Sequence, residues 1–254
     1  MMDFSPVGAF RFWQRNLLIF RKTFPFTVPE NFLEPVVYLL ALGLGLGAYL
    51  REIQGLPYVA FVATGLAASA AMFGATFECT YNAYVQFYYD RSYDAIVTTP
   101  LSAEDVAVGE VLWGATRSVI YGTAFLLVVA LFGVARSLWA LALPGVFFLG
   151  GVVFSTVALA FTAVTPSIDL FPYYFSLWIT PMFMFSGIFF PLDALPGWVQ
   201  TAAWFTPLYH VVRATRALAF GTPVAAVPEV VWLAAVAVVL LPVPAVLLRR
   251  RLVQ

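Results

Sequence analysis

The stretch FMFSGIFFPLDALPGWVQTAAWFTPLYH, residues 183–210, decides how this chain is read. It opens as the end of an apolar helix, breaks at Ser186-Gly187 and again at Pro191, restarts at Pro196 and stops at Thr206-Pro207. Trp198, Ala202 and Phe205 recur at helical spacing, but the segment from Pro196 to Phe205 holds only ten residues. A spanning helix needs about 20 apolar residues, and one of about 10–14 suits a re-entrant or interfacial segment. Irregular backbone at membrane depth persists only where protein or a wet cavity satisfies its polar groups. Two readings stand on these residues: a half-helix dipping into one face of a membrane protein, or a loop anchored by interfacial tryptophans.

The rest of the chain supplies the context. Of its 254 residues, 62% are hydrophobic and 10% charged, with a mean hydropathy of +0.91. Soluble domains carry about 25% charged residues, so the composition predicts an all-α integral membrane protein. Zero net charge gives no electrostatic reason to expect a nucleic-acid partner. The single cysteine, Cys79, excludes an intrachain disulfide and a cysteine-rich metal site. Early apolar residues alternate with Arg11, Arg15, Arg21 and Lys22, which predicts no cleavable signal peptide.

Along the chain, residues 5–24 place Phe10, Trp13, Leu17, Phe20 and Phe24 on one helical face and most of the basic residues on the other. That pattern predicts an interfacial helix ended by Pro25 and Pro29. Asn31 and Glu34 have capping-box spacing, with Pro35 in the first turn, so a first span is expected over 32–50 and Glu34 reads as a capping carboxylate. Further spans are expected over 57–79, 106–134, 138–165, 170–186 and 230–248, the last bent by Pro242 and Pro244. Between spans two and three lies the one sizeable polar stretch. Its 90–100 portion reads either as a short crosswise helix offered to a soluble partner or as an ordinary connection, and Ser102 with Glu104 and Asp105 caps the helix that follows.

Charged residues inside membrane helices are costly and turn toward the bundle interior or water. Glu78 ends the second span, and Glu110 and Arg117 share a face of the third. The latter two lie about 10.5 Å apart along the axis, so each is expected to find a partner on another helix, a structural pairing being favoured over substrate contact. Six spans with both termini cytoplasmic put eight basic residues inside (Arg11, Arg15, Arg21, Lys22, Arg91, Arg249 to Arg251) and four outside (Arg51, Arg136, Arg213, Arg216), as the positive-inside rule prefers. Residues 187–220 then form an extracytoplasmic re-entrant region.

The chemistry left out is equally informative. His210 is the sole histidine, beside Arg213 and Arg216, and reads as an interfacial polar residue; a two-histidine metal site is impossible. No glycine-rich phosphate loop surrounds Lys22, the sole lysine, and no serine sits in GxSxG. Catalytic and metal residues are therefore expected to be absent. Any ATP-driven work must use a separate subunit.

Three stretches carry a family resemblance: EPVVYLLALGLGLG from Glu34, RSYDAIVTTPLSAEDVAVGEVLWGATR from Arg91, and MFSGIFFPLDALPGWVQTAAWFTPLYHVVR from Met184. The chain resembles ABC-transporter permeases of the type-2 export class, in the branch of the nodulation-factor (lipo-chitooligosaccharide) exporter and daunorubicin-type drug exporter permeases. The resemblance implies six spans in a bacterial inner membrane, an interfacial N-terminal helix, a cytoplasmic coupling helix and outer re-entrant helices. It implies a permease dimer, taken as a homodimer, bound to two ABC ATPase subunits that carry ATP and Mg2+, with no cofactor on this chain. Carried over by position, Asp90, Arg91, Tyr93, Asp94, Thr98, Thr99 and Pro100 fall in the coupling region. Phe189, Phe190, Pro191, Trp198, Trp204, Pro207, Tyr209 and His210 fall in the outer gate. The cargo would be a lipid-linked saccharide or another amphipathic molecule, with a drug of the same class or ion-coupled secondary transport as alternatives.

Overall fold

The computed structural model describes residues 4–50, 52–90, 92–93, 99–131 and 137–252. Helix α1 spans Pro6–Leu40, followed by a π-helical turn at Ala41–Gly45 and a 3-10 turn at Leu46–Ala48. A two-residue hairpin, β1 (Glu52–Ile53) against β2 (Leu56–Pro57), leads into α2, Tyr58–Phe77. Helix α2 runs on through π-helical turns to Tyr89. Then come α3 (Ala103–Leu131), α4 (Leu143–Val164), α5 (Phe171–Tyr174), α6 (Thr180–Met184), α7 (Gly197–Trp204), α8 (Pro207–Ala219), α9 (Pro223–Leu240) and α10 (Pro242–Leu252).

Among the described residues, four helical runs are long and apolar enough to cross a membrane: Tyr58–Tyr89, Ala103–Ala130, Leu138–Val164 and Pro223–Arg251. The other two expected spans are shorter. The first has its apolar part at Val36–Ala48, and the fifth is α5 and α6 joined by a π-helical turn at Phe175–Ile179.

Helices α2, α3 and α4 form the centre of the bundle, and small residues let them approach. A methyl group on Gly151 would sit 2.9 Å from the Cα of Ala115, and one on Gly114 would collide with Ser155 and Cys79. This is the small-residue packing expected along Gly150, Gly151 and Ser155. Gly114→Val is therefore expected to cost at least about 1–3 kcal/mol through overpacking, measurable as a lower unfolding temperature of the detergent-purified chain.

Capping follows the sequence closely at α3. Ser102 Oγ accepts the Asp105 amide at 3.1 Å, and Asp105 returns the bond by accepting the Ser102 amide at 3.1 Å. The same carboxylate accepts the Ser5 amide at 2.7 Å, which ties the start of α1 to the start of α3. Arg251 donates to the carbonyls of Ala163 and Thr165 and lies over the Tyr88 ring, so the end of the chain caps the C-terminus of α4.

Two expectations need correction. Helix α1 does not stop at residue 24 and restart at the Asn31/Glu34 box; its backbone is helical through Pro25, Pro29 and Glu34. The side chain of Glu34 lies outside the described residues. A proline costs a soluble helix about 3 kcal/mol, but in an apolar setting continuing the helix keeps most backbone groups bonded internally. Its buried stripe is Ala9, Phe12, Asn16 and Phe20, packed on α3, while Phe10 and Phe24 from the expected apolar face are exposed. The last span also begins earlier than residue 230: Pro223 takes the first helical position after Thr222. That shift places Glu229 inside the helix.

Candidate functional site

Among the described residues, two of the cavities are lined by charged side chains. One, called inner after the orientation expected from the sequence, lies between α1, the π-helical continuation of α2 and α3, measures about 330 Å3, and is lined by Arg15, Asn16, Glu78, Asn82, Gln86, Asp90, Trp113 and Arg117 among others. Each side chain arrives there by helical spacing. Glu78 and Asn82 are one turn apart on the run that leaves α2, Trp113 and Arg117 one turn apart on α3, and Phe20 one turn beyond Asn16 on α1.

Glu78 is the hub. Its Oε2 faces Arg117 Nε at 3.3 Å and accepts from Asn82 Nδ2 at 2.9 Å, while Oε1 accepts from Trp113 Nε1 at 2.8 Å. Arg117 is 5% exposed, and its guanidinium lies over the rings of Phe20 and Tyr121 at 4.5 and 4.9 Å. Glu110 takes a separate partner: its Oε2 accepts from Asn16 Nδ2 at 2.9 Å. Arg15 completes the row by donating to Asn16 Oδ1 and to Gln86 Oε1. The sequence-based expectation that Glu110 and Arg117 pair with different helices holds.

Among the described residues of the polar stretch after α2, Asp90 and Tyr93 come near this site. Tyr93 is buried, edge-on to Phe12 at 5.8 Å and to Phe87 at 5.9 Å. Burial, with the negative charge of Glu110 next, pushes its phenol well above the usual tyrosine range. Asp90 lines the cavity, and Thr99-Pro100 form an exposed turn before α3. Arg91, Asp94 and Thr98 lie outside the described residues.

The outer residues form a different group. Phe189 packs on Phe183 at 5.1 Å, Pro191 lines the outer cavity, Phe190 is half-buried, and Trp198 is exposed. The backbone of Ile188 passes so close to α2 that a methyl on Gly65 would lie 2.9 Å from its Cα. Helix α7 is short and mostly exposed, whereas α8, with Pro207 and His210, is inserted between α2, α4 and α9. Within residues 183–210, Gly197–Trp204 and the stretch from Pro207 onward are helical.

His210 differs from expectation. It is 1% exposed, stacked 3.9 Å from Trp232, with Nδ1 at 2.5 Å from Glu229 Oε2 and Nε2 at 2.7 Å from the Trp204 carbonyl. Arg213 Nε meets the other oxygen of Glu229 at 3.0 Å. A carbonyl can only accept, so Nε2 carries hydrogen and the His210–Glu229 contact needs a second proton. Glu229 was not anticipated. Its one available signal is being the sole acidic residue in the apolar run from Pro223 to Leu248.

Among the described residues no group of three or more histidine, cysteine, aspartate or glutamate side chains could hold a metal ion. The two polar cavities are lined by charged side chains together with the amides of Asn16, Asn82 and Gln86 in one and Gln54 in the other.

Residues 9–220 match the family model described as "ABC-2 type transporter". "Nodulation protein J" of Rhizobium leguminosarum bv. viciae is 37% identical over 243 residues, covering 95% of this chain and 94% of that protein. The protein of the same name from Rhizobium meliloti (strain 1021) is 34% identical, with 94% and 92% covered. That of Azorhizobium caulinodans is 30% identical over 80% of each chain.

Proposed function

From the premise that this chain belongs to the ABC-2 type transporter family, we propose that it is the membrane-spanning permease subunit of an ATP-binding-cassette exporter. Its cargo is a lipid-linked saccharide or a comparable amphipathic molecule. Energy comes from a separate ATPase subunit, present in two copies beside a permease homodimer in the inner membrane, with both termini of the permease cytoplasmic. The likeness to nodulation proteins J over nearly the whole chain supports the cargo class. The observation that carries the reading is the inner cavity. It offers amide, carboxylate and guanidinium groups beside Trp113 and Phe20, the mixture that hydroxyl-rich headgroups need for hydrogen bonds and ring stacking.

In this reading the 90–100 segment is the coupling region, touching the ATPase on one side and, through Tyr93, the Glu110 environment on the other. Residues 187–220 form the re-entrant outer gate. An ion-coupled carrier is disfavoured because Glu78 is engaged by Arg117, Asn82 and Trp113, and Glu110 by Asn16. The test is reconstitution in inverted vesicles with the candidate ATPase and a fluorescent lipid-linked chitooligosaccharide. Uptake is expected with ATP, and none when the ATPase lacks its phosphate-loop lysine. Uptake driven by an ion gradient on the permease alone would overturn the proposal.

A further inference from the structure

The outer cavity measures about 300 Å3 and is lined in part by Gln54, Asp193, Tyr209, Arg213 and Arg216. Its two guanidinium groups are not equivalent. Arg213 is half exposed and paired with Glu229. Arg216 is held by neutral groups: Nη2 donates to the carbonyls of Phe61 and Gly187, both at 3.1 Å, and the guanidinium lies 3.7 Å from the Phe61 ring centroid. Among the described residues no carboxylate pairs with it, its buried Nε has no partner, and Nη1 donates to no protein group. Burial, with the adjacent Arg213 charge next, pushes this guanidinium down to about 9, so it stays charged at neutral pH.

A cation set this deep without a counter-charge is costly unless something completes it. The charges around the cavity agree. Taking His210 and Glu229 with their two protons as a neutral pair leaves Arg213 and Arg216 against Asp193, one positive charge in excess. Tyr209 accepts from Arg213 Nη1 at 2.6 Å, so its own hydroxyl hydrogen is left to donate.

We propose that the outer cavity binds one singly charged oxyanion of the phosphodiester or sulfate-ester type, held by Arg216 Nη1 and the Tyr209 hydroxyl. Asp193, exposed at the rim and bonded to Gln54, disfavours a second negative charge. The cavity also leaves room for the glycerol or sugar that carries the ester. The site stands independently of which molecule is exported.

The experiment is thermal unfolding of the full detergent-purified chain with three additives. These are short-chain phosphatidylglycerol, a neutral diacylglycerol of the same chains, and sodium methyl sulfate, a singly charged sulfate ester, against chloride at equal ionic strength. A saturable rise in unfolding temperature is expected with phosphatidylglycerol, or with methyl sulfate if the source is a free anion, and none with the diacylglycerol. Losing a charge-assisted contact should weaken the apparent affinity about tenfold or more in Arg216→Gln. Gln54→Glu, on an exposed turn that tolerates the change, should weaken it in the same direction. A shift equal for phosphatidylglycerol and diacylglycerol with none for methyl sulfate, or one unchanged in Gln54→Glu, would overturn the proposal.

Discussion

Replacing Arg117 with leucine is expected to destabilise the folded chain by about 3–5 kcal/mol. The substitution leaves the Glu78 carboxylate 5% exposed with Trp113 and Asn82 as donors but no cation. Breaking one side of a buried pair costs more than deleting both, because the survivor keeps its desolvation penalty without the attraction. Glu78→Met combined with Arg117→Leu should therefore recover most of the loss. Unfolding temperature and the monodisperse fraction in detergent read both variants. Equal damage from the single and the double change would show that the contacts of Arg117 with the Phe20 and Tyr121 rings matter more than its charge pairing.

Glu229→Leu should be comparably severe, and for an asymmetric reason. Arg213, with half its side chain in solvent, can turn to water when the carboxylate goes; His210, at 1% exposure, cannot. The expected cost is again about 3–5 kcal/mol, with loosening of α8 from α9 read as faster amide exchange in both helices. Glu229→Gln keeps the shape and one acceptor, and should fall between wild type and leucine. Wild-type exchange in Glu229→Leu would mean that the Trp232 stack and the Trp204 carbonyl suffice to hold α8.

Much of this architecture is legible in the sequence because its signals are local. The Ser102–Asp105 cap, the Gly150/Gly151 stripe, the seven-residue gap that keeps Glu110 and Arg117 from pairing with each other, and the break at Ser186-Gly187 each depend on residues within a few turns. What escaped depends on distant ones. Prolines at 25 and 29 argue for a helix end on local grounds, and the continuity of α1 depends on surroundings that no short window contains. The inner cavity joins side chains from residue 15 to residue 117, and the outer one joins Gln54 to Arg216. Glu229 was missed because an acidic residue near a proline reads as a helix end, whereas Pro223 had already started the helix.

The run from Tyr58 to Tyr89 has a mechanical consequence. It touches the outer cavity where the Phe61 carbonyl holds Arg216, and the inner one where Glu78 holds Arg117, about 25 Å further along one helical axis. No loop lies between these points to absorb a push. A displacement applied near Asp90 arrives at Arg216 as the same displacement, less whatever the π-helical turns at Glu78–Asn82 and Val85–Tyr89 take up by rewinding. The π-helical turns lie toward the Asp90 end of this run, and the stretch from Tyr58 to Phe77, between the residues that hold Arg216 and Arg117, is continuous α-helix.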